Sequence, residues 1–261
     1  MMDSDLTAEG ISYQQSLTFS LQDISIHFPK QNVTSIIGPN GSGKSTLLKV
    51  LTNLLSQDKG IVAIGGIEVS KMNAKALARK MTMLSQVQND DLDLNVRDLI
   101  SHGRLPYRKW YEKLTNDDAE IIDWAISVTN LNDLQYQSIK QLSGGERQRA
   151  WIAMAIVQSP DILLLDEPTT FLDISHQLEV MELVRYLNKK LNMTIIMVLH
   201  DINQAAKYSD HLIVMQDGRV VQSGNPKQVF NKALFRDVFS IHVKISQEDG
   251  YLSFTPTGLV K

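Results

Sequence analysis

Residues 38–45 read Gly-Pro-Asn-Gly-Ser-Gly-Lys-Ser. A β-branched run precedes them at 33–37, and Leu47, Leu48, Val50, Leu51, Leu54 and Leu55 follow at helical spacing. The order strand, glycine-rich loop, helix constrains the fold more than anything else in the chain. Glycines let the backbone curl so that successive amide hydrogens face inward, and the N-terminus of the next helix adds positive dipole where a phosphate would sit. The eight residues fit the P-loop pattern in its required context. In that pattern Gly38, Pro39, Asn40, Gly41, Ser42 and Gly43 form the cradle, Lys44 reaches the β- and γ-phosphates, Ser45 holds magnesium, and Thr46 is counted with them as nucleotide-binding. The alternative is a glycine-rich turn that binds nothing.

The rest of the chain supports an α/β fold. Residues 162–165 and 195–199 are wholly apolar runs ending in Asp166-Glu167 and His200-Asp201. Such runs mark parallel strands covered on both faces. The stretch 175–191 between them is helical, which completes a crossover unit. An antiparallel opening strand is expected over 17–28, further strands over 61–64 and 81–84, a helix over 73–80, a hairpin over 212–221 turning at Asp217-Gly218, and a mixed tail after it. From 87 to 160 no strand signal appears, and Thr115-Asn116-Asp117-Asp118 resembles a helix cap. The expected organisation is a core of residues 1–86 and 160–261 with a helical insertion over 87–159.

Composition narrows the class. With a net charge of −3 the chain lacks the broad positive field of nonspecific nucleic-acid binders, so no nucleic-acid partner is expected. Without cysteine there is no thiolate metal site or thiol nucleophile. The longest apolar run, 150–157, has eight residues, against about 20 for a membrane span. Residues 1–10 carry three acids and no base, unlike a signal peptide, so secretion is not expected.

Asp166 at a strand end is placed to coordinate magnesium, and Glu167 is placed as general base for a water attacking the γ-phosphate. Taken alone, such a pair is more often a solvated turn. His200 alone would read as a structural histidine, and Gln86 as polar surface. Leu142-Ser143-Gly144-Gly145-Glu146 precedes a second helix, and reads as another exposed N-terminus with free amides and a serine hydroxyl, or as simple capping.

Together these residues resemble the ATPase subunit of ATP-binding cassette transporters, over residues 13–224. The resemblance matches the P-loop, a glutamine loop at Gln86, a signature over Leu142 to Glu146, a Walker B strand ending at Asp166 with Glu167, an Asp173 in the following loop, and a switch His200. It implies a single ATPase domain with a RecA-like P-loop core sheet, an antiparallel β subdomain and an inserted helical subdomain that carries the signature. It implies ATP and Mg2+ as cofactors, the metal held by Ser45, Gln86 and Asp166, with Glu167, His200 and Gln86 catalytic. Tyr13, 25 residues before Gly38, matches the aromatic that stacks on adenine, or is an ordinary strand residue. The implied partners are a second ATPase subunit in a head-to-tail dimer, whose P-loop site the signature completes, the membrane permease subunits, and indirectly a substrate-binding protein. The implied location is the cytoplasmic face of a bacterial membrane.

The runs 102–107, 172–179 and 199–206 resemble importers of iron-siderophore complexes, with haem and cobalamin importers close by. An importer of another cargo, a non-transport ATPase of DNA repair or translation, and a nucleotide sensor without turnover are the competing readings. One cassette and no sustained heptads separate this chain from the repair and translation members. Two departures stand out. Phe171 occupies a place where many relatives carry a small or polar residue, and Lys30-Gln31-Asn32 replaces a usual glycine, where only a changed turn is expected.

Overall fold

The computed structural model describes residues 5–16, 19–86, 92–109, 111–248 and 250–260. Leu17, the expected start of the first strand, and residues 87–91, the expected start of the insertion, lie outside the described residues. The chain divides into two compact bodies, Met1–Lys71 with Thr194–Lys261, and Met72–Met193.

In the first stretch, β1 (Leu6–Gln14) and β2 (Ser20–Phe28) pair antiparallel, from Leu6 opposite Phe28 to Gln14 opposite Ser20. On β2 Ile24, Ile26 and Phe28 are buried in alternation, and a left-handed Asp23 shifts the phase so that Leu21 is buried as well. β3 (Val33–Ile37), buried at every position, runs through the glycine loop into α1 (Lys44–Leu51). β4 (Lys59–Ile64) and β5 (Ile67–Glu68) complete an antiparallel sheet in the order β2, β1, β4, β5. At the departure before β3, Gln31 takes a left-handed φ of 56°, its amide donating to the Thr194 hydroxyl at 3.0 Å.

The second body contains α2 (Ala74–Lys80), β6 (Met81–Leu84), α3 (Val96–His102), α4 (Asn116–Val128), α5 (Gly144–Ile156), β7 (Ile162–Asp166) and α6 (Ile174–Leu191). β6 and β7 pair in parallel, Leu84 opposite Leu165. Between them no strand forms among the described residues. The helices bury Leu99 and Ile100 of α3, Ile122 and Ile126 of α4, and Ile152 and Ile156 of α5. The expected cap before α4 is a full capping box of Thr115 and Asp118. Asp118 also accepts from Arg104 Nε at 2.7 Å, while Arg104 Nη1 donates to the Val157 carbonyl at 2.7 Å. One buried guanidinium thereby ties the start of α4 to the end of α5.

The last stretch returns to the first body with β8 (Thr194–Val198), α7 (Ile202–Tyr208), β9 (His211–Gln216), β10 (Arg219–Gly224), α8 (Pro226–Val229), α9 (Lys232–Phe239), β11 (Ile241–Glu248) and β12 (Tyr251–Leu259). β3 lies between β8 and β9 and is parallel to both, with Ile36 opposite Val198 and Ile213. β9 and β10 form the expected hairpin at Asp217-Gly218. The tail is more regular than expected, because β11 and β12 pair along their length and Phe254 packs on Phe230 and Phe235, centroids 6.0 and 4.4 Å away.

Candidate functional site

Among the described residues, eight of the nine α-helices have a side chain accepting from an amide of their first turn, whereas α1 has none. Its N-cap is Gly43, at φ 100°. A Cβ there would lie 2.7 Å from Leu21 Cδ2 and 2.9 Å from Phe19 Cζ, so both backbone and space demand glycine. No side chain therefore caps the first turn of α1, whose positive dipole end faces the glycine loop. Lys44 is buried, its Nζ donating to the carbonyls of Gly38 at 2.9 Å and Pro39 at 2.8 Å. The Ser42 hydroxyl oxygen is buried with no hydrogen-bond partner in the protein, a polar atom that a phosphate oxygen would satisfy.

In the same body, Thr46 donates to Gln15 Oε1 at 3.3 Å, which draws the end of β1 to the loop helix. Tyr13, half-buried, stands on β1 opposite Leu21. Exposed His200 follows β8, and the Leu199 amide donates to Ile36 O at 3.3 Å. His200 and the P-loop thus leave neighbouring parallel strands at one carboxyl edge, where ligands bind in α/β sheets.

The second body repeats this logic. Parallel pairing of β6 and β7 brings Gln86 and Glu167 to one edge, where Gln86 Nε2 donates to Glu167 Oε2 at 2.6 Å. The Thr170 hydroxyl donates to the same oxygen at 3.1 Å. Glu167 has a left-handed φ of 54°, and Asp166 before it is buried.

The signature turn is less open than its sequence suggested. Ser143 Oγ accepts from the Glu146 amide at 3.3 Å, and Glu146 Oε2 accepts from the Ser143 amide at 2.8 Å, so the two residues form a capping box. The expectation of a free N-terminus therefore needs correcting, although the Ser143 hydroxyl keeps its own proton to donate. The backbone hydrogen bond from Ser143 holds the Glu146 carboxyl below its ordinary range. Asp173 caps α6 by accepting from the His176 amide at 3.0 Å, and that bond, with those from the Ser175 hydroxyl and the His176 ring, lowers its carboxyl likewise. Phe171 is 95% exposed at a φ of 65°, with Ile174 77% exposed beside it in sequence.

Each body therefore assembles part of the expected set: Tyr13, the P-loop and His200 in one, and Gln86, the signature, Asp166, Glu167 and Asp173 in the other. Sequence reasoning gave no role to Gln15, Arg104 or His176. For the last, its place three residues after Asp173 was the available signal.

The ABC transporter family profile matches residues 21–170. The petrobactin import ATP-binding protein FpuC of Bacillus anthracis is 48% identical over 256 residues, 98% of this chain and 94% of FpuC. The iron(3+)-hydroxamate import ATP-binding protein FhuC of Bacillus subtilis is 40% identical, covering 90% of this chain and 87% of FhuC. Among solved structures, cbiO1 of Clostridium perfringens, part of the ABC transporter complex cbiONQ, superposes with a TM-score of 0.78 at 30% identity, covering 90% of this chain and 94% of cbiO1. Among the described residues no helix is long and apolar enough to cross a membrane. The chain belongs to the ABC transporter family, as one of its ATP-binding subunits.

Proposed function

We propose that this chain hydrolyses ATP at the P-loop to power import of iron-siderophore complexes, working as a peripheral subunit on the cytoplasmic face of a bacterial membrane. The observation that carries the ATPase reading is the uncapped α1 behind a glycine cradle that holds a buried lysine and an unsatisfied serine hydroxyl. Lys44 exchanges its two carbonyl partners for phosphate oxygens, and Tyr13 stacks on adenine. Glu167 accepts the proton of the attacking water, Gln86 and Thr170 fix the carboxylate, and His200 contacts the γ-phosphate side.

The proposed metal is Mg2+. Ser45, Gln86 and Asp166 would supply a hydroxyl, an amide carbonyl and a carboxylate, the hard oxygen donors Mg2+ prefers. When bound, the metal neutralises charge on the β- and γ-oxygens.

The signature, Leu142 to Glu146, completes the site of a second subunit, and Asp173 lies in the same interface. The exposure of Phe171 and Ile174 around Asp173 supports a face that is covered by another chain. Permease subunits, served by a substrate-binding protein, would meet the segment after Gln86. The helices α3, α4 and α5 would form the subdomain that carries the signature.

The siderophore cargo rests on the similarity to the import proteins FpuC and FhuC. Deleting the gene should abolish growth on a ferric siderophore as sole iron source while sparing growth on inorganic iron. A plasmid copy should restore growth, and a Lys44→Ala copy should not. Retained siderophore growth, with loss of growth on haem or cobalamin, would reassign the cargo.

A further inference from the structure

We propose that His176 is a positioning residue that locks the signature turn to the turn around Asp173, so that Ser143, Gly144, Gly145 and Asp173 meet a second subunit as one rigid piece. This rests on the reading of the signature given above, and concerns what holds it in place.

Three observations converge on the ring. A Cβ on Gly145 would lie 2.2 Å from His176 Cδ2, 2.4 Å from Cγ and 2.9 Å from Cβ. Gly145 is absent from the positive-φ residues, so its backbone does not demand glycine, and the imidazole does. By contrast a Cβ on Gly144 would make only ordinary contact, 3.7 Å from Leu172 Cδ2. On its other side, His176 Nδ1 lies 2.7 Å from Asp173 Oδ1. An ionised carboxylate only accepts, so Nδ1 carries the proton and donates. The same Oδ1 accepts from the His176 amide at 3.0 Å and from the Ser175 hydroxyl at 3.0 Å. Finally, the His176 side chain is 28% exposed while Asp173 is 65% exposed, so the ring is the more covered of the two partners. Glu146, a charged group that feels the ring, already caps Ser143, and Arg149 is paired with Glu179.

A glycine in direct contact with an aromatic ring, itself hydrogen-bonded to the neighbouring turn, leaves neither turn free to shift alone. Loss of this lock should leave ATP binding to a single subunit unchanged and weaken the step that needs the signature presented correctly.

Two substitutions separate the two contacts. His176→Phe keeps a ring over Gly145 and loses the hydrogen bond, while His176→Asn keeps a donor near the Nδ1 position and loses the ring. The experiment uses the full-length protein. It measures fluorescent ATP-analogue binding, kcat and KM for ATP, and ATP-dependent dimerisation in the Glu167→Gln background. Each variant should bind nucleotide as wild type does. Each should need about tenfold more ATP for half-maximal rate and for dimerisation, the scale of one lost charge-assisted hydrogen bond or ring contact. His176→Ala should lose more than either.

Gly145→Ala supplies an independent arm. It should be defective because its methyl meets the ring, and combining it with His176→Ala should cost nothing beyond His176→Ala alone. If Gly145→Ala fails to fold, recovery of a folded chain in the double variant supports the lock, and no recovery overturns it. Losses that multiply, or wild-type KM and dimerisation in His176→Ala, also overturn it. A failure of the signature reading itself would show separately, as normal ATPase activity in Gly144→Asp.

Discussion

Lys44 is the side chain whose role can be isolated most cleanly, because its ammonium is buried and held only 2.8 to 2.9 Å from two loop carbonyls. Charge-assisted hydrogen bonds contribute about 1.5 to 3 kcal/mol each. Lys44→Ala should therefore weaken ATP binding by at least about tenfold and abolish turnover, as equilibrium binding and phosphate release would show. Near-normal turnover would remove the P-loop from the mechanism. Glu167→Gln keeps the shape of the side chain beside Gln86 and Thr170 but cannot accept a proton. It should bind ATP while kcat falls by about 10² to 10⁴. In gel filtration with ATP it should elute as a dimer, and a monomer that still turns over would count against Glu167 as base.

At the scale of elements, the Arg104 and Asp118 pair joins α4 to the end of α5 with side chains only 8% and 7% exposed. Arg104→Ala leaves a buried carboxylate and should destabilise the chain by about 3 to 5 kcal/mol, read as a lower midpoint in denaturant. Burial pushes the Asp118 carboxyl upward, but hydrogen bonds from Thr115 and Arg104 outweigh it and hold the group below its ordinary value. Its contribution is therefore full above about pH 4, the unfolded value, and is lost as pH falls through the lower folded value. Asp118→Asn should flatten that acid limb of the stability curve, and an unchanged limb would show that other carboxylates set it.

Local signals explain why some elements were legible in sequence. The P-loop, the strand ends at Asp166 and His200, and the cap at Thr115 each depend on neighbours within a few residues. β1 was missed because Gly10 and register shifts near Ile11 break its alternation. The β11–β12 pair was missed because its anchor, Phe254 on Phe230 and Phe235, forms only in three dimensions. Ser143 and Glu146 have the S-x-x-E spacing of a capping box, so the closed signature turn was readable in sequence. The contact of His176 with Gly145, 31 residues apart, was not.

For the whole molecule, the account's central claim is that the signature of one subunit serves the P-loop of another. Gly144→Asp is the suitable lesion, because its Cβ has room and an acid in the first turn favours the helix of an isolated subunit. Placed against phosphate oxygens in the dimer, the same carboxylate repels them. The decisive measurement is ATPase activity when wild-type protein is mixed with excess Lys44→Ala, compared with excess Lys44→Ala/Gly144→Asp. The first mixed dimer keeps one complete site, the wild-type P-loop with the partner's intact signature. In the second, one site lacks its lysine and the other its signature. The account predicts activity above the homodimer background in the first mixture and none above it in the second, whereas equal activity in both would contradict a signature acting across the interface.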